Sequence, residues 1–260
     1  MLGAICGDVI GSIQEFGTPI AEDFPILGST VRATDDSVMT VAVAQALLDD
    51  RDYRASFVEW GQRYPHAGYG GSFGRWLMQG GPKPYGSYGN GSAMRVSPAG
   101  WVHDTLEDTL AEARATAMPT HDHVEGIRGA EAVAGAIFLA RKGASVAELR
   151  ALFEQRFGYD CSRTLDEIRP THEFDVTCMG TVPVAAVCAL GATSVEHAIR
   201  RAAALGGDGD TLACIAGSIA EAMFGGVPRD LAERVLMRVD KPLRDVTMAF
   251  MERYGVPMAS

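Results

Sequence analysis

Residues 34–48 read Thr34-Asp-Asp-Ser-Val-Met-Thr-Val-Ala-Val-Ala-Gln-Ala-Leu-Leu48, a hydroxyl and two carboxylates set directly before an uncharged run of small and apolar side chains. Oxygen acceptors in that position satisfy the free amides of a first helical turn and complement its dipole. The stretch therefore predicts a helix that opens at the acids and is buried along its length. A second stretch, Gly206-Gly-Asp-Gly-Asp-Thr211 followed by Leu212-Ala-Cys-Ile-Ala-Gly-Ser-Ile-Ala220, repeats the design. Elsewhere, Ser145-Val-Ala-Glu148 is a capping box with Leu149, Leu152 and Phe153 at helical spacing behind it. Thr105-Leu-Glu-Asp108 is a weaker version of the same start, and Val124–Ala140 reads as a mostly buried helix. Pro228 and Pro242 suit the first turns of two further helices. No Asn-Gly or Asp-Gly turn separates two β-branched runs. The expectation is an all-α fold with residues 1–260 forming one domain, without linker or internal repeat.

Composition narrows the function. The chain has 260 residues, 47% hydrophobic and 22% charged, which is globular rather than disordered. Lys plus Arg is 23 and Asp plus Glu is 33, a net charge of −10. That balance disfavours nucleic acid or an anionic membrane as a partner for a whole face. Cys6, Cys161, Cys178, Cys188 and Cys214 are scattered without a Cys-x-x-Cys pair, which suits reduced thiols in a cytoplasm better than disulfides or zinc. Met1–Phe16 is apolar but has no basic leader, and Asp8 interrupts it, so it does not read as a signal peptide. Val176–Val195 carries no charge, yet Pro183, its hydroxyls and its acidic flanks identify a buried, Pro-kinked core helix rather than a membrane span. The expectation is a soluble protein.

One irregular zone, Tyr64–Arg95, holds nine glycines in 32 residues together with Pro65, Pro82 and Pro84. Such a loop either connects helices or brings backbone amides close to a ligand, and Tyr85 and Tyr88 could stack on a base or sugar.

The two acidic clusters carry more oxygen than capping requires. One cap needs one acceptor, whereas each helix start here has two carboxylates and a hydroxyl. Neither motif contains a Lys or Arg, and clustered carboxylates repel unless a cation lies between them. Such hard, all-oxygen donors fit Mg²⁺, Mn²⁺ or Ca²⁺, and two ions sharing an aspartate would match their number. An EF-hand fails because Asp208 and Asp210 lack the loop's glycine and terminal glutamate, and a prenyl-synthase-type DDxxD fails at Met39. His103-Asp104 and His121-Asp122 leave open an HD-type phosphohydrolase with His103, His121 and Asp122 as metal ligands.

Five collinear segments resemble the ADP-ribosylglycohydrolases. They are Gly3-Ala-Ile-Cys-Gly-Asp8-Val-Ile-Gly11-Ser-Ile-Gln-Glu15, Thr34-Asp35-Asp36, Tyr88-Gly-Asn-Gly-Ser-Ala-Met-Arg95, Thr120-His121 with Gly126 and Gly129, and Gly206-Gly-Asp208-Gly-Asp210-Thr211. The resemblance implies an orthogonal helical bundle around a binuclear centre of two Mg²⁺ or Mn²⁺ ions. Thr34, Asp35 and Asp36 would ligate from one side and Asp208, Asp210 and Thr211 from the other, with Asp210 bridging. Glu15 matches the family's acidic residue in the first helix, which acts in catalysis beside Asp36 and Asp210. Gly86, Ser87, Tyr88, Gly89 and Asn90 match the loop that holds the diphosphate and distal ribose, with backbone amides meeting the phosphates. His121 matches a ligand-contacting histidine, and Asp8 is expected to bond backbone amides near the site.

The activity so implied is metal-dependent hydrolysis of the bond between ADP-ribose and an acceptor, with protein arginine the first choice. Serine-linked or O-acetyl-ADP-ribose, a modified nucleic-acid base, and a non-catalytic ADP-ribose-binding module are the alternatives. The expected partner is an ADP-ribosylated protein or small conjugate, met by a cytoplasmic monomer with no membrane contact. Three departures from the family pattern stand out: Ser37 where Thr is frequent, Glu221 where a small residue is common and which is read as facing solvent, and a short chain.

Overall fold

The capping signals become helices. In a computed structural model, described over residues 1–259, Leu2–Gly11 forms α1, Glu15–Gly17 β1, Asp35–Leu48 α2, Tyr53–Arg63 α3, Gly71–Met78 α4 and Gly91–Met94 α5. Leu106–Ala117 (α6), Val124–Arg141 (α7), Val146–Ala151 (α8), Leu165–Ile168 (α9), Cys178–Leu190 (α10) and Val195–Ala203 (α11) follow. The chain continues through Gly207–Asp208 (β2), Gly209–Met223 (α12), Val227–Pro228 (β3), Arg229–Leu236 (α13), Lys241–Tyr254 (α14) and Met258–Ala259 (β4). The fold is all-α, as expected. Thr34 accepts from the Asp36 amide at the start of α2, Thr105 caps α6, and Ser145 with Glu148 closes the capping box of α8.

Helices α1 and α12 form the centre. Every residue of α1 is buried, and α12 is buried from Gly209 to Ala222. Gly3, Gly7 and Gly11 recur every fourth residue on one face of α1, where the two backbones almost touch. A Cβ on Gly7 would run into the Ala213 carbonyl, and one on Gly11 would lie 2.6 Å from the Gly209 oxygen. This close crossing delivers the end of α1 to the start of α12. Helices α11, α10 and α7 pack on the other sides of α12, and α2 lies against α1 and α14.

Four expectations need correcting. Glu15 does not lie in the first helix: α1 ends at Gly11, a turn follows in which the Gln14 amide bonds Gly11 at 2.7 Å, and Glu15 pairs with Asp208 across the two-stranded β1–β2 ribbon. The uncharged run 176–195 is two helices rather than one, because Gly191 ends α10 and Ser194 caps α11. Pro183 sits inside α10, and no helix among the described residues is long and apolar enough to cross a membrane. The glycine-rich zone holds the helix α4, whose Phe73, Trp76 and Leu77 are buried at helical spacing. Glu221 does not face solvent: it is buried, and its carboxylate accepts from the amino group of Met1 and the amide of Leu2. All five cysteines are buried and free.

Candidate active site

The α1–α12 crossing, the start of α2 and the glycine-rich loop meet around one cavity of about 360 Å³. Glu15, Asp35, Asp36, Asp208, Asp210 and Thr211 line it, together with Ser87, Gly89, Asn90 and His121. The two acidic clusters, far apart in sequence, thus face a common space. Asp8 braces the first of them from α1. Its carboxylate accepts from the Thr34 amide at 2.9 Å and hydroxyl at 2.6 Å, and from the Ser37 amide at 3.0 Å and hydroxyl. Asp35 and Asp36 lie between those two anchors, so α1 fixes the register in which α2 presents its acids. Asp8 does bond backbone amides beside the site.

Electrostatically the cluster is strained. Burial, then the charge of Asp8, pushes the Asp35 carboxyl up to about 8. Burial and the neighbouring carboxylates, Asp210 first, raise Asp36 well above the usual range, and Asp210 rises likewise through burial and Asp208. Glu15 is raised by burial and held back by Arg32, whose guanidinium lies 3.5 Å away. Asp36 Oδ2 is buried without a hydrogen-bond partner among the described residues. A buried, unpartnered carboxylate oxygen amid mutually repelling acids is the donor chemistry that a hard cation relieves. Among the described residues, no three or more His, Cys, Asp or Glu side chains form a ready metal cage. The fit is therefore one of donor type and charge.

The loop contributes side chains more than amides. Asn90 Nδ2 donates to Asp208 Oδ2 at 2.5 Å and to Thr181 Oγ1 at 3.0 Å, joining the loop to the second acidic cluster and to α10. The amides of Gly86, Ser87, Gly89 and Asn90 are all engaged, by Asp122, the Thr120 carbonyl, the Ser87 hydroxyl and the Val176 carbonyl. Four of the five amides expected to meet the phosphates are thus engaged within the protein, and among the described residues that of Tyr88 has no partner. Gly86 and Tyr88 are outside the cavity lining, and Tyr88 tilts against His123 with ring centroids 5.4 Å apart. Thr34 is outside it as well, its hydroxyl turned to Asp8. Tyr85 lines the cavity, 6.3 Å from the His121 ring.

The phosphohydrolase arrangement is not brought together. His103 bonds Glu112 at 2.8 Å, His121 bonds Thr120 at 2.7 Å, and Asp122 accepts from Gly86. Sequence reading missed Phe16 and Phe174, which stack at 5.1 Å on the rim of the cavity and are 72% and 48% exposed. Phe16 also has a φ of +61°, unusual for a bulky side chain. The position of Phe16 directly after Glu15 was the available signal.

Comparison with known proteins adds the decisive observation: the family profile of the ADP-ribosylglycohydrolases matches residues 1–257. The chain belongs to the ADP-ribosylglycohydrolase family. It is 28% identical to human ADP-ribosylhydrolase ARH3, over 86% of this chain and 84% of that protein. It is 24% identical to ADP-ribosylarginine hydrolase Tri1 of Pseudomonas putida (strain GB-1), over 90% and 72%. A solved structure titled ADP-ribosylglycohydrolase-related protein complex superposes with a TM-score of 0.69 at 25% identity, covering 96% of each chain. This ADP-ribosylglycohydrolase is thus a hydrolase of the glycosidic bond of ADP-ribose.

Proposed function

We propose that residues 1–260 act as one metal-dependent hydrolase domain that cleaves the bond between ribose C1″ of ADP-ribose and an arginine side chain of a modified protein. The observation that carries the reading is the convergence of Glu15, both acidic clusters, Ser87, Asn90 and His121 on one cavity. Arginine is preferred as acceptor because the cavity is acidic and its rim carries a stacked aromatic pair, a surface that suits a planar cation. The relative Tri1 is named for that linkage.

Asp35, Asp36, Asp208, Asp210 and Thr211 would hold two ions of Mg²⁺ or Mn²⁺, with Asp210 shared. Thr34 braces their helix through Asp8. When bound, such ions supply Lewis acidity and a template for the ribose hydroxyls. The chain's own part is to orient and to move protons. Asn90, fixed by Asp208 and Thr181, and the Ser87 hydroxyl position the ribose and diphosphate. Glu15 takes the proton of the attacking water, and burial raises its carboxyl in the direction that makes a carboxylate a better base. The bond to the acceptor breaks through an oxocarbenium-like charge at C1″. Five buried free thiols suit a reducing compartment, so the enzyme is assigned to the cytoplasm, where it works as a monomer on ADP-ribosylated proteins or small conjugates.

The test is release of ADP-ribose from arginine-ADP-ribosylated protein with Mg²⁺ or Mn²⁺, with EDTA, and with Asp210→Ala. Release that needs metal and is lost in the variant supports the proposal. Binding of ADP-ribose without release would favour another linkage or a binding module.

A further inference from the structure

Arg95 is a buried charge that the catalytic chemistry leaves unexplained. It is 1% exposed, borders the cavity, and has no carboxylate partner among the described residues. Its guanidinium carbon lies 4.1 Å from the centre of the Phe57 ring and 6.0 Å from that of Phe73. Nη2 donates to the Thr116 carbonyl and to Thr120 Oγ1, each at 2.9 Å. A buried guanidinium held without a counter-charge costs stability.

The hydrogen-bond arithmetic says what it serves. Thr120 Oγ1 lies 2.7 Å from His121 Nδ1. An arginine only donates, so the Thr120 oxygen accepts from Arg95 and keeps one proton to give. His121 Nδ1 is the only acceptor within reach of that proton among the described residues. Were Nδ1 protonated instead, Thr120 would accept twice and its own proton would be stranded in a buried site, a costly arrangement. Nδ1 therefore accepts and the proton of the ring sits on Nε2. That nitrogen has no protein partner among the described residues and packs against Gly91, where a Cβ would lie 3.1 Å away. Burial and the Arg95 charge both hold His121 well below its ordinary pKa, in keeping with a neutral ring.

We infer that Arg95 and Thr120 are positioning residues: through the chain Arg95–Thr120–His121 they fix His121 in its Nε2–H form and aim that donor at a phosphate or hydroxyl oxygen of the bound ligand. The inference rests on the reading of the cavity as an ADP-ribose site. It also supplies a donor beside a loop whose amides at Gly86, Ser87, Gly89 and Asn90 are engaged elsewhere.

The test uses Thr120→Val, which keeps the shape and removes the hydroxyl, with Thr120→Ser as the conservative rescue. ¹⁵N NMR of the histidine rings reports the tautomer of His121, and calorimetry reports affinity for free ADP-ribose. The unmodified protein is expected to show a protonated Nε2. Thr120→Val is expected to lose that preference and to bind ADP-ribose about tenfold more weakly, the worth of one good hydrogen bond, while Thr120→Ser restores both. A protonated Nδ1 in the unmodified protein overturns the inference, as does unchanged affinity in a Thr120→Val variant whose tautomer has shifted. Failure of the unmodified protein to bind ADP-ribose would instead overturn the reading of the cavity, and the tautomer spectrum would still decide the relay.

Discussion

Asp8 and Thr34 are joined twice: the Thr34 amide donates to Oδ2 of Asp8 at 2.9 Å and its hydroxyl to Oδ1 at 2.6 Å. The same carboxylate takes the amide and hydroxyl of Ser37, so one buried side chain of α1 serves four donors at the start of α2. Replacing Asp8 by Ala strands those donors. Asp8→Ala is expected to lower stability by about 3 kcal/mol, from the usual cost of unsatisfied buried donors. ADP-ribose release should fall with it even at temperatures where the variant stays folded, because Asp35 and Asp36 lose their register. Denaturant unfolding and turnover measured on the same samples check this, and full turnover in the folded variant contradicts the bracing role.

The crowded carboxylates predict how metal and pH act together. Asp35 titrates near about 8 in the folded protein, against about 3.9 in an unfolded chain, and Asp36 and Asp210 are raised as well. A folded-state pKa above the unfolded one means that the native state binds more protons in this window. The contribution of these groups is fully present below about pH 4 and is lost as pH rises through about 8. A divalent cation binds the deprotonated forms and removes the repulsion. The rise in melting temperature on adding Mg²⁺ or Mn²⁺ should therefore be larger at about pH 8 than at about pH 6. Equal shifts at both values would show that the ion does not bind at these acids.

What the sequence disclosed divides along a physical line. Helix starts at Thr34, Thr105 and Ser145 were legible because a cap is a local bargain between a side chain and amides two or three residues on. The two acidic helix starts were legible for the same reason, as an excess of oxygen over what capping uses. Helix α4 was hidden by the glycines around it, although Phe73, Trp76 and Leu77 keep a helical spacing. Glu15 was placed in a helix by the family resemblance alone, whereas α1 ends at Gly11, where Gly209 of α12 approaches closely. Contacts such as Asn90 to Asp208 and Arg95 to Thr120 join residues 118 and 25 apart, and no periodicity encodes them.

The α1–α12 crossing makes a sharper prediction about Gly7. In an exposed helix, Gly→Ala stabilises by up to about 1 kcal/mol. Here the new Cβ would meet the Ala213 carbonyl and lie 2.6 Å from the Cys214 amide nitrogen, and both are backbone atoms that cannot step aside without moving α12. Gly7→Ala is expected to destabilise by about 2–3 kcal/mol, the cost of overpacking a rigid contact. It should also weaken catalysis, since the same crossing sets Asp8 against α2 and Glu15 against Asp208. A urea titration decides the sign, and a stabilised variant would refute the close-packing account.

Phe16 separates stability from function in the opposite direction. Its φ of +61° costs an L-residue roughly 1–2 kcal/mol, and at 72% exposure the ring recovers little of that by burial. Stacking on Phe174 at 5.1 Å returns about 0.5–1.5 kcal/mol. Phe16→Gly removes both terms, so stability should change by between a loss of about 0.5 and a gain of about 1.5 kcal/mol. Holding a strained, exposed aromatic ring beside Glu15 then makes sense only if the ring meets the acceptor side of the substrate. Phe16→Gly should raise KM for an arginine-ADP-ribosylated protein several-fold while leaving the affinity for free ADP-ribose unchanged, because only the former carries an acceptor. If both fall together, Phe16 shapes the ADP-ribose pocket itself, and if the variant loses more than about 0.5 kcal/mol, the strain at residue 16 has been misjudged.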